Sequence, residues 1–120
     1  MITKILIGFV ALQHIAFFVL ESFLWTHPVG LKVFRQTLEV AHLSKNLAAN
    51  QGLYNAFLAA GLFWSLVSPH EIVRHQAAIF FLGCVVIAGI VGGMTVSLRI
   101  TLIQSVPALI ALALVVFKSK

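Results

Sequence analysis

LAANQGLYNAFLAAGLFWSL, residues 47–66, is the stretch on which the reading of the whole chain turns. Its apolar and small side chains run for about twenty residues, the length that crosses a bilayer's hydrocarbon core at ~1.5 Å per helical residue. Asn50, Gln51, Tyr54 and Asn55 interrupt it. At ~100° per residue these four cover an arc of roughly 140° on one side of a helix. Gly52, Ala56, Ala59 and Ala60, with Ala48 and Ala49, take most of the remaining circumference. The stretch therefore predicts a central helix that packs by its small side and lines a polar space with the other.

The surrounding composition fits that reading. Of 120 residues, 61% are hydrophobic and 9% charged, and the mean hydropathy is +1.07. A soluble domain has about 45–50% apolar and about 25% charged residues. A water-soluble core-and-surface arrangement is excluded, and a single integral membrane domain is predicted. The net charge of +5 then belongs at lipid headgroups; no nucleic-acid-binding pattern accompanies it, and no nucleic-acid partner is expected. The single cysteine, Cys84, lies in an apolar run and reads as a small buried residue. The five histidines show no HExxH or paired-Cys spacing, so neither a metal site nor a cofactor is expected.

Outward from the central stretch, four spans are predicted, at about 5–25, 47–68, 76–98 and 100–117. The fold class is all-α: a four-helix transmembrane bundle with a short interfacial amphipathic helix between the first two spans. The apolar run after Lys4 lacks a small-x-small cleavage site and contains Glu21, so it reads as a retained span rather than a signal peptide. In the connection 26–46, Thr26, His27, Pro28 and Gly30 break the helix. Leu31, Phe34, Leu38 and Ala41 then form one stripe opposite Lys32, Arg35, Gln36 and Glu39, which is the pattern of the interfacial helix. In the third span Ala88/Gly92 and Gly89/Gly93 match small-xxx-small, and we expect them to pack within the chain, on the small side of span two. Pro107 follows Gln104 by three residues and is placed to kink the last span.

Lys4, Arg74, Lys118 and Lys120 fall on the side of the termini, against Lys32, Arg35, Lys45 and Arg99 on the other. That tie permits dual insertion; the expectation adopted is a bacterial plasma membrane with cytoplasmic termini.

Charged and amide side chains in hydrocarbon must meet each other, water or a ligand. Antiparallel spans would bring Glu21 level with Asn50, Gln51, Tyr54 and Asn55, with Gln104 about a turn deep and His14 nearer the middle of the membrane. These seven residues are the expected ligand-binding pocket; the bland alternative is a hydrogen-bond network that only ties spans together. A Glu and a His can hold, move or donate a proton near neutral pH.

LAANQGLYNAFLAAGL, FFLGCVVIAGIVGGMTVS and QSVPALIAL, with ALQH and Glu21 of the first span, resemble a family of short bacterial and fungal four-span membrane proteins catalogued as a domain of unknown function. The resemblance implies a fold and a membrane location, and no activity. Three functions stay open: a pocket that binds and transports a small cationic or amphipathic molecule against Glu21, an intramembrane enzyme on a lipid or isoprenoid with Glu21 and His14 as acid and base, and a structural or accessory subunit. The sequence sets no oligomeric state.

Overall fold

The computed structural model describes residues 1–118; Lys120, counted above on the terminal side, lies outside them. Among the described residues every regular element is helical: α1 (Ile2–Ser22), α2 (Pro28–Phe34), α3 (Leu38–Val67), α4 (Glu71–Thr95) and α5 (Leu98–Lys118). Three of them, α1, α4 and α5, are long and apolar enough to cross a membrane, as an integral membrane protein requires. The expected second span lies inside α3, but α3 is not among the three. Its 30 residues begin nine positions before Leu47, and Glu39, His42, Lys45 and Asn46 join Asn50, Gln51 and Asn55 in diluting its apolar content.

The helix breaks are set by local chemistry. Pro28 opens α2 at its first turn, where a missing N–H is harmless. The helix ends at Arg35, the one non-glycine residue with positive φ (51°) among those described. The expected amphipathic helix is thus cut short at its middle: Leu31 and Phe34 belong to α2, Leu38 and Ala41 to α3. Thr37 restarts the chain, its Oγ1 accepting from the Val40 N–H at 3.3 Å as an N-cap does. Gly30 and Arg99, expected in breaks, lie within helices instead. The turn 68–70 before α4 is closed by Arg74, whose guanidinium donates to the Ser68 carbonyl at 2.7 Å.

The chain falls into two compact units, Met1–Ala11 with Leu58–Lys120, and Leu12–Phe57. In the first, Ile7, Val10 and Ala11 of α1 form an apolar core with Leu62 of α3, Leu82 and Val85 of α4, and Ala108, Ala111 and Val115 of α5. The small face of α4 meets α5, not α3. A Cβ at Gly89 would overlap Ser105 Oγ, and one at Gly93 would overlap Thr101 Oγ1. The space the glycines leave is used by hydrogen bonds: Thr101 donates to the Gly89 carbonyl at 2.7 Å and Ser105 to the Val86 carbonyl at 2.8 Å. α3 contacts α4 elsewhere, through Gly61 beneath the Phe81 ring. Thr101–Ser105 winds as a π-helix, just ahead of Pro107, which brings no N–H to the ladder.

Two glycines of α4 should therefore respond oppositely to substitution. Gly89→Val, which forces a side chain into Ser105, should lower stability in detergent by about 1–3 kcal/mol. Gly83→Ala, where nothing lies within 4 Å of the added atom, should raise it by roughly 0.5–1 kcal/mol through helix propensity. Thermal unfolding followed by circular dichroism checks both; equal effects would place α5 away from Gly89.

Candidate functional site

Within the unit Leu12–Phe57, the end of α1 meets α3 around Ala49, Gly52 and Asn55, on a side of α3 whose small residues recur every three to four positions. Ala41, Ala48 and Gly52 are buried and Asn55 is half-buried, and they share one side of α3. The contact is closest at Gly52. A Cβ there would stand 3.2 Å from Glu21 Cβ and 3.2 Å from the Phe18 carbonyl oxygen, and would overlap Ser22 Oγ. Glycine is the residue that lets the backbones approach this far. Two hydrogen bonds flank it: Ser22 Oγ donates to the Ala49 carbonyl at 3.3 Å, and the Asn55 amide donates from Nδ2 to Glu21 Oε1 at 2.9 Å.

A second tie anchors the loop after α1. Trp25 Nε1 donates to Ser44 Oγ at 3.1 Å, and Ser44 donates on to the Val40 carbonyl at 2.8 Å. The Trp25 ring packs on Phe34 of α2 at 4.8 Å between centroids. Gly30 faces the Leu24 carbonyl so closely that a Cβ would overlap it, which holds α2 against the end of α1. Beside these contacts is a hollow of about 180 Å³, walled by Glu21, Ser22, Trp25, Thr26, Lys45 and Asn46 among others.

The expected constellation is therefore only partly assembled. Glu21 and Asn55 meet. Asn50, Gln51 and Tyr54 lie on the exposed side of α3, and Tyr54 packs instead toward Phe57, 6.1 Å between ring centroids. The reason is rotational: the small side of α3 faces α1, and Asn55 alone of the polar arc stands at its border. His14 is fully buried and sits edge-on to Phe17 at 5.4 Å. It does not wall the hollow, and seven residues of helix put it ~10 Å along α1 from Glu21. Gln104, also buried, belongs to the other unit, on the π-helical turn, and is likewise absent from that wall. The residues missed, Lys45 and Asn46 above all, lay just outside a span begun at Leu47. Carried back from Gly52 and Ala48, the stripe Ala41–Ala48–Gly52 passes beside Lys45, while Asn46 lies well off it.

Residues 8–116 match the family described as "Protein of unknown function (DUF1304)". The chain belongs to that family. No curated protein and no solved structure matches the chain. The matched range takes in Glu21, Gly52 and Asn55, while the family's description attaches no activity to them.

The contact at Gly52 has a direct test in a Cys84→Ala background. A Ser22→Cys/Ala49→Cys pair should form a disulfide readily in isolated membranes, and adding Gly52→Val should cut its yield several-fold. Unchanged crosslinking would show that the approach of α1 to α3 does not depend on that glycine.

Proposed function

We propose that the protein is a four-span membrane protein, α3 included, that binds a small amphipathic molecule with a cationic group at Glu21. The contribution of Leu62 to the same core as α1, α4 and α5 supports counting α3 as a span. Its polar first turns would then stand at the membrane surface with α2, whose break at Arg35 lets it lie across the interface. The observation that carries the binding reading is the hydrogen bond from Asn55 to Glu21 at the wall of an open hollow.

Here Asn55 serves Oε1 while Glu21 also borders space. A carboxylate so placed is a counter-charge for a cation, and the lipophilic walls supplied by Phe23 and Trp25 suit an apolar body next to it. Phe23 and Trp25 in the same wall favour ligands whose cation is delocalised and poorly hydrated over small hard ones. Proton exchange at Glu21 on binding would couple the site to a proton gradient. The separation of His14 from the hollow speaks against the acid–base pair that an intramembrane enzyme would need.

Tetraphenylphosphonium is a suitable probe. The full-length protein in liposomes should bind it, Glu21→Gln should weaken binding by about tenfold or more, and Asn55→Leu should weaken it less, with helicity unchanged in both. Binding that is indifferent to Glu21→Gln would remove the cation-site reading.

A further inference from the structure

A second hollow, of about 420 Å³, lies in the unit Met1–Ala11 with Leu58–Lys120 and has no part in the Glu21 site. We propose that it is a binding site for the phosphate headgroup of an anionic membrane lipid. Its wall gathers cations from three helices: Lys4 from the start of α1, Arg74 from the first turn of α4, and Lys118 from the end of α5. Glu71 is the one carboxylate beside them, so the wall carries an excess of two positive charges over residues that are otherwise apolar or neutral.

The hydrogen-bonding groups fit the same ligand. Thr3 and His75 also line the hollow, and the Thr3 hydroxyl oxygen is buried with no hydrogen-bond partner. A phosphate oxygen would supply the missing acceptor, and an unmade bond at a buried hydroxyl is costly enough to make that pairing favourable. Arg74 spends one guanidinium nitrogen on the Ser68 carbonyl, which fixes the fork and leaves its other donors for an anion.

The lining also has a gradient. Ile7, Leu66, Leu114 and Val115 are among the rest of it, giving an apolar floor to a cationic rim at the ends of helices long enough to cross a membrane. A free anion uses only the rim. A phospholipid uses both, its phosphate among Lys4, Arg74 and Lys118 and its acyl chains against the floor, which is why the lipid is the occupant assigned.

Native mass spectrometry of the full-length protein in neutral detergent, loaded with equal phosphatidylglycerol and phosphatidylcholine of identical chains, reads the site directly. The protein should retain phosphatidylglycerol about tenfold over phosphatidylcholine. Lys4→Gln/Lys118→Gln, which alters only exposed side chains and leaves Arg74 on Ser68, should abolish that preference, while Lys4→Arg/Lys118→Arg keeps it. Lys32→Gln/Arg35→Gln removes the same net charge elsewhere and should also keep it. Equal retention of the two lipids, or equal loss in both Gln double variants, overturns the proposal. Displacement of the lipid by millimolar inorganic phosphate overturns the lipid assignment and makes the rim a free-anion site. None of these readouts involves Glu21, so the two sites stand or fall separately.

Discussion

Apolar helices surrounded by lipid tails gain nothing by burying leucines against each other, because the tails are as apolar as the leucines. What holds them is close approach, and close approach requires positions without a Cβ. Two such seams carry side-chain hydrogen bonds as well. At Gly52, α3 comes against the Glu21–Ser22 end of α1; at Gly89 and Gly93, α4 comes against the hydroxyl-bearing start of α5. In both, the shortened distance lets side-chain donors reach a partner on the other helix: Ser22 to Ala49, Asn55 to Glu21, Thr101 to Gly89 and Ser105 to Val86. The glycine and the hydrogen bond are one device in each seam, since the bond cannot form at the separation a larger residue would impose.

The two seams differ in what they leave over. Thr101 and Ser105 donate to carbonyls that already take part in a helix, so that seam ends in satisfied groups and is a fastening. The seam at Gly52 places an ionisable side chain at its edge, next to a hollow with Thr26, Lys45 and Asn46. The same packing principle thus produces a clasp in one half of the chain and a candidate binding group in the other.

The sequence made the seams legible and their partners less so. Asn55 and Glu21 stood out because polar groups in an apolar span must find each other, and Gly52 because it belongs to the small side of the same helix; Asn55 and Glu21 do meet. Asn50, Gln51 and Tyr54 lie on the exposed side because depth fixes the level of a residue and not its direction; the small side of α3, not the polar arc, turns toward α1. The start of α3 at Leu38 was hidden by reading hydropathy as helix length, when Thr37 and Arg35 mark the true boundary through a cap and a left-handed turn. The partner of Gly89 and Gly93 was hidden for another reason. A small-xxx-small face says that something comes close, and only the hydroxyls at Thr101 and Ser105, spaced four apart on the neighbouring segment, say what.

The π-helical turn at Thr101–Ser105 has a bearing on how chains of this family vary. A π-turn holds one residue more than the α-turns around it, while the helix on either side keeps its facing. This segment is therefore the point in α5 where one residue can be lost without swinging Ala108, Ala111 and Val115 out of the core. Elsewhere in the same helix a one-residue change in length rotates everything beyond it by ~100°. Family members with an α5 one residue shorter should carry the deletion between Ile100 and Val106, and should trade one of the two hydroxyls for an unbroken α-helix.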